Sequence, residues 1–174
     1  MSSILTGHAL QKPIQGMEIE VNKLESYLKI QQPLLFTNGG GLVVSQFTHG
    51  QSNPTYLLQI NKNKLVLRKQ PPGSLLHGAH DVLREAAIIQ HLSTVAGVPV
   101  PRIVSICSDS SIIGTVFYIM EHIDGIVYTD PALPTLSPQQ RTLAYAAATR
   151  VLATLHSIEV HVQFCNNSID IRLF

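Results

Sequence analysis

The chain has 174 residues, 45% of them hydrophobic and only 13% charged, with a formal net charge of +1. That length holds one ordinary domain, or one small lobe with part of a second. The near-zero charge removes the electrostatic case for nucleic acid or an anionic membrane as partner, and so few charges imply a surface that expects partial covering.

The opening MSSILTGHALQKPIQG has neither the basic start nor the continuous apolar core of a secretory signal. Residues 1–16 are expected to be disordered. No apolar run reaches the roughly 18–20 residues that a membrane-crossing helix needs. The two cysteines, Cys107 and Cys165, have no metal-type or redox-type spacing, which suits a reducing, intracellular compartment. There is no internal repeat.

Ile19, Leu24, Tyr27 and Leu28 fall near helical spacing and predict an amphipathic helix over 17–30, stopped at Gln31-Gln32-Pro33. The joint Asn38-Gly39-Gly40-Gly41 releases the chain into apolar runs at 42–48, 55–60 and 65–69. With polar turns between them, these read as a three-stranded antiparallel meander. Pro54 sits at the start of its strand, where a missing N–H is tolerated.

After Pro71-Pro72-Gly73, the stripe of Val82, Leu83, Ala86, Ala87 and Ile89 predicts a helix over 79–95, ended by Gly97. Val98-Pro99-Val100-Pro101 is extended, because a residue before proline avoids the helical region. A second hairpin follows at 103–107 and 114–121. Residues 122–136 read as a linker. Ser137-Pro138-Gln139-Gln140 then carries a cap, a first-turn proline and a capping box, which start a helix over 137–157. Its interior, LAYAAATRVLATLH, is apolar on most sides, as in a helix built for burial. Nothing in the following residues has a period suited to cover it. Its exposed apolar surface would suit a chaperone or another partner.

Four groups of residues could carry chemistry. The first joins Arg68 or Lys69, on the third strand, with Glu85 on the next helix. A strand cation directed by a helix carboxylate is one way to grip nucleotide phosphates, although the spacing alone also allows an ordinary surface pair. The second is the turn His49-Gly50-Gln51-Ser52-Asn53, whose backbone N–H groups and Ser52 hydroxyl could cradle phosphate, or could form a plain hairpin turn. In the third, Met120-Glu121-His122-Ile123 carries the last strand out into the linker. Backbone groups there could meet an adenine edge. The fourth, His77-Gly78-Ala79-His80-Asp81, invites a metal-dependent hydrolase reading through His77, His80 and Asp81. No fourth ligand is in obvious reach, and Asp81 at a helix start is more simply a partner of the helix dipole. His156, near a helix end, reads as a packed histidine.

The combination of RKQPPG, the helix DVLREAAIIQHL, VPVP and GTVFYIME resembles the aminoglycoside-phosphotransferase-like (choline-kinase-like) family. More narrowly, it is similar to the N-terminal kinase-like domain of the long acyl-CoA dehydrogenase family members ten and eleven. The resemblance covers residues 20–160. It implies an α+β fold: a protein-kinase-like N-lobe over 17–121, with a five-stranded antiparallel sheet plus a helix. A hinge over 122–136 follows, then the first helix of an incomplete C-lobe over 137–158 and a divergent tail over 159–174.

The resemblance also implies roles. Gly50, Ser52 and Asn53 would form the nucleotide loop, and Arg68 falls on the position of the phosphate-gripping cation. That cation is usually lysine, so Lys69 is a second candidate. Glu85 would pair with it, Met120 would sit at the back of the adenine pocket, and Glu121 and Ile123 would offer hinge backbone groups. ATP and Mg2+ are the expected cofactors of the complete domain. FAD would belong only to a dehydrogenase domain absent from this sequence. The partners are the nucleotide and a small hydroxyl acceptor, such as a hydroxylated fatty acid or its CoA ester. The compartment, mitochondrion or peroxisome, follows only from the resemblance.

This sequence departs from the family in one large respect. The catalytic loop, His-Gly-Asp followed by a metal-binding Asn, and the later metal-binding Asp have no match after residue 121. No catalytic or metal-ligating residue is therefore named. The chain alone is expected to be inactive, as a nucleotide- or partner-binding fragment of a phosphotransferase.

Overall fold

A computed structural model describes residues 9–48, 52–73 and 80–158, and the backbone of 160–165 and 168–173. The described residues fall into two compact units. The first comprises those up to Gln90 together with Pro101–Val127; the second comprises His91–Val100 together with those from Tyr128 on.

The first unit is built on a six-stranded sheet. Its strands are β1 (Leu10–Gln11), β2 (Leu42–Phe47), β3 (Thr55–Ile60), β4 (Asn63–Lys69), β5 (Ile103–Cys107) and β6 (Phe117–Glu121). Their spatial order is β1-β2-β3-β4-β6-β5, and every pairing is antiparallel. The expected meander is β2-β3-β4. The second hairpin joins it through β6, so β5 lies at the edge. The α+β class and the antiparallel sheet stand.

Strand alternation sorts the side chains onto two faces. Leu58, Ile60, Leu65, Leu67, Phe117 and Ile119 share one face, where helix α1 (Val21–Gln31) buries Leu24 and Leu28 against them. Leu57, Val66 and Phe47 point to the other. On that second face, helix α2 (Val82–Leu92) packs Val82 and Ala86 on Tyr118 of β6. Full burial of such side chains contributes roughly 1.5–3 kcal/mol each, so both helices are held by packing rather than by propensity.

Three expectations are corrected. The stretch expected to be disordered contains β1, and Thr48 N–H donates to the Ala9 carbonyl at 3.1 Å. Two residues carry no periodic signal; they are recruited because β2 would otherwise present an open edge. The sheet therefore has six strands, not five. The first helix begins at Val21 and α2 ends at Leu92, each shorter than its apolar pattern suggested.

In the second unit, helix α3 (Pro138–His156) starts at the expected capping box. Gln140 N–H donates to Ser137 Oγ at 3.2 Å, and Ser137 N–H donates to Gln140 Oε1 at 2.9 Å. None of its residues is buried, and Leu143 is 70% exposed. The Tyr145 hydroxyl donates to the Pro131 carbonyl. Beyond it, β7 (Val160–Cys165) and β8 (Ser168–Leu173) pair antiparallel in a stretch that had read as having no period. The alternation of Val160, Val162 and Phe164 with His161 and Gln163 is the strand signal there.

Candidate functional site

The site is built on the α2 face of the sheet. Arg68 lies near the end of β4, with Thr55 of β3 opposite it on one side and Tyr118 of β6 on the other. Glu85 occupies the first turn of α2. The third strand and the following helix thus bring together the cation and carboxylate that the sequence paired, with Arg68 Nε 3.0 Å from Glu85 Oε2. The two side chains are 28% and 32% exposed.

That contact is an ion pair without a directed hydrogen bond. Arg68 Nε is itself buried, and no acceptor among the described residues lies on its N–H axis. A buried donor in this condition costs about 1–3 kcal/mol until an acceptor reaches it. An anionic oxygen would suit it well.

The carboxylate is held from behind. Asn53 Nδ2 donates to Glu85 Oε2 at 3.5 Å, and Asn53 Oδ1 lies 3.1 Å from His80 Nδ1. Asn53 is 7% exposed, so its amide faces these partners rather than solvent. Thr55 Oγ1 donates to the Asn53 carbonyl at 3.0 Å and fixes the turn. Tyr118 is buried beside the pair. Burial pushes its phenol well above the ordinary tyrosine range, and the negative charge of Glu85 adds to that.

Beside Arg68 a cleft of about 330 Å3 opens on the same face. Phe47, Val66 and Met120 make its apolar wall, Thr55 and Arg68 its polar end, and Pro101, Glu121, His122, Ile123 and Val127 its rim. A flat apolar slot with a cation at one end can take an aromatic base and an attached polyphosphate.

The other sequence candidates fall as follows. Gly50 lies outside the described residues. Ser52 is exposed beside the cleft-forming strands. Lys69 is not with Arg68: it points to the opposite face, is 4% exposed, and donates from Nζ to the Glu18 carbonyl at 3.4 Å. Glu121 N–H is engaged by the Arg102 carbonyl at 3.0 Å, and its side chain accepts from Arg102 N–H. Met120 and Ile123 both line the cleft. Of the metal reading, His77 lies outside the described residues. Asp81 Oδ1 accepts from Arg84 N–H at 2.9 Å, and no group of three or more candidate ligands occurs among the described residues.

Sequence reasoning missed the part of His80 in this network and the position of Tyr118. Alternation along β4 could have found Val66, two residues before Arg68. Tyr118 needed the β4–β6 pairing, which no local pattern announces.

The comparisons agree with this geometry. A family model described as phosphotransferase enzyme family matches residues 43–168. The match runs past residue 160, into the stretch expected to diverge. Acyl-CoA dehydrogenase family member 10 of Mus musculus is 48% identical over 145 residues, 83% of this chain and 13% of the relative. Acyl-CoA dehydrogenase family member 11 of Homo sapiens is 45% identical over 119 residues, 68% of this chain and 15% of the relative. The chain thus spans less than a fifth of these relatives. A crystal structure from Ralstonia eutropha, assigned as an aminoglycoside phosphotransferase, is 34% identical with a TM-score of 0.65 over 82% of this chain and 39% of that one.

Proposed function

We propose that this chain, which belongs to the phosphotransferase enzyme family, holds ATP in the cleft beside Arg68 for phosphoryl transfer to a small-molecule hydroxyl. The observation that carries this reading is the buried Arg68 Nε, paired in charge with Glu85 but lacking a directed acceptor at the polar end of an apolar cleft. The base would lie between Phe47, Val66 and Met120. Ile123 would offer backbone groups to its edge, while Glu121, its N–H engaged, would offer at most its carbonyl. Ser52 would offer its hydroxyl to the phosphates, and Arg68 would grip them with Glu85 as its charge partner. Lys69 has no part in this grip, and Asn53 acts on Glu85 rather than on the nucleotide.

The donors described here fit phosphate oxygens. They do not fit a metal, because Glu85 and Glu121 are engaged by Arg68 and Arg102. No magnesium position is assigned and no step is drawn through it. In this reading residues 17–121 form the nucleotide-holding lobe, 122–136 the hinge and α3 the start of a second lobe. The relatives are named as acyl-CoA dehydrogenase family members, and the acceptor in this reading is a hydroxylated fatty acid or its CoA ester. No His-Gly-Asp loop occurs in the sequence, so turnover by this chain alone is expected to be undetectable.

Thermal unfolding with and without MgATP tests the binding step. The melting temperature should rise with nucleotide, and Arg68→Ala should remove the rise. No shift at millimolar ATP would sink the reading. Turnover of a hydroxyl acceptor that disappears with Glu85→Gln would instead show that this chain is catalytic. A second reading, a partner-binding fragment, is favoured by the exposed apolar side chains of α3, Leu143, Tyr145 and Leu152.

A further inference from the structure

We propose that His80 is a positioning residue, the first donor of a directed chain that runs through Asn53 to Glu85, the charge partner of Arg68, and sets the strength of phosphate binding. The inference rests on the reading of Arg68 as the phosphate grip.

The chemistry of the groups decides the direction of the chain. A carboxylate paired with a guanidinium can only accept, so the Asn53 atom facing Glu85 at 3.5 Å must be the amide nitrogen. Asn53 Oδ1 then faces His80 at 3.1 Å. A carbonyl oxygen is an acceptor, so His80 Nδ1 must carry a proton. The neutral ring is therefore held as the Nδ1–H tautomer. The proton order is His80 Nδ1–H to Asn53 Oδ1, then Asn53 Nδ2–H to Glu85 Oε2, with Arg68 Nε 3.0 Å from the same oxygen.

The backbone supports a specific placement. His80 has φ +58, in the left-handed region that residues with a side chain seldom occupy. It sits just before α2, which carries Glu85. The strained turn brings the imidazole to an Asn53 amide that is nearly fully buried. Glu85 Oε2 thus has Asn53 Nδ2 as a second neighbour beside Arg68 Nε. With His80 removed, the Asn53 amide loses its own anchor and holds the carboxylate less firmly, so the carboxylate can turn onto the buried Nε, form the directed hydrogen bond it now lacks, and compete with the phosphate for the guanidinium.

The test uses three variants of the full chain. His80→Gly relieves the backbone strain and removes the donor. His80→Asn suits the same left-handed backbone and keeps an N–H donor near the Nδ1 position. Arg68→Ala reports on the grip itself. Calorimetric titrations with MgATP and with adenosine separate phosphate contacts from base contacts, and thermal unfolding confirms that each variant is folded.

The expected result is that His80→Gly weakens MgATP binding about five- to tenfold, leaves adenosine within about twofold, and is recovered by His80→Asn to within about twofold of the parent. Unchanged MgATP binding in His80→Gly overturns the proposal. So does an equal loss for adenosine, or a folded His80→Asn that fails to recover. Unchanged MgATP binding in Arg68→Ala overturns the reading of Arg68, a result distinct from an Arg68-dependent affinity that ignores His80. Independently, nitrogen-15 histidine spectra of the neutral ring should show His80 protonated on Nδ1 and bare on Nε2. The opposite tautomer overturns the chain whatever the nucleotide does.

Discussion

Arg68 and Lys69 are neighbours on β4, yet they stand in opposite surroundings. Arg68 faces the cleft, partly exposed, with its Nε unsatisfied. Lys69 faces the other way, 4% exposed, with its Nζ on the Glu18 carbonyl and 5.6 Å from the centre of the Tyr56 ring. Burial holds the Lys69 ammonium below the usual lysine range. It belongs to a row of polar side chains on β2, β3 and β4 that grips the segment leading into α1. Gln46 Oε1 accepts from Ile14 N–H at 2.8 Å, and the Tyr56 hydroxyl donates to the Met17 carbonyl. The lesson is that a pair of adjacent cations is not one site. Strand alternation puts one on the cleft face and the other on the face that α1 covers.

The comparison can be broken at several points. Arg68→Ala should cost the most: about 2–3 kcal/mol of MgATP binding, as expected for a charge-assisted contact, with little change in the unfolding midpoint. Lys69→Ala should show the reverse. It should lose about 2 kcal/mol of stability in denaturant titration, because it strips a buried stem and leaves the Glu18 carbonyl unsatisfied. Lys69→Met, which keeps the stem and relieves the buried charge, should stay within about 1 kcal/mol of the parent. If Arg68→Ala proves the more destabilising of the two alanine variants, the assignment of faces to roles is wrong.

Tyr56→Phe should cost about 1 kcal/mol at neutral pH for its lost hydrogen bond, and it should also change the alkaline limb. The Tyr56 phenol is pushed up to about 12, first by burial and then by the charge of Glu18, from an ordinary 10.0. A folded-state value above the unfolded one contributes stability that is complete below pH 10.0 and is lost as pH rises toward about 12. The Phe variant should therefore lose less stability across that window. Lys69 runs the other way: its lowered value adds stability as pH rises toward 10.5. The smallest effect is expected for Arg68→Lys. It keeps the charge that the family usually places there and should shift MgATP binding by under about 1 kcal/mol, at the cost of the planar fork.

Much of the frame was legible because its signals are local. The apolar run of Leu65, Val66 and Leu67, the apolar stripe of α2 and the capping box at Ser137 each specify an element from a few adjacent residues. The pairing of Arg68 with Glu85 was legible for the same reason, as a strand cation and a first-turn carboxylate on consecutive elements. The two-residue β1 was not, since no period exists in two residues. The contacts of Asn53 with Glu85 and His80 were not legible, since they join residues far apart in the chain; the resemblance alone had placed Asn53 in the nucleotide loop.

By itself the sequence determined the helices and the strands β2 to β6, and it placed Arg68 and Lys69 side by side on one of them. Only the tertiary structure decided which face is covered. The contacts that settle it join residues far apart in the chain: Lys69 to Glu18 across 51 positions, Asn53 to Glu85 across 32 and His80 to Asn53 across 27. Propensity and alternation act over one or two turns of chain. Burial, and with it the protonation and direction of each polar group, depends on what is packed onto the face from elsewhere.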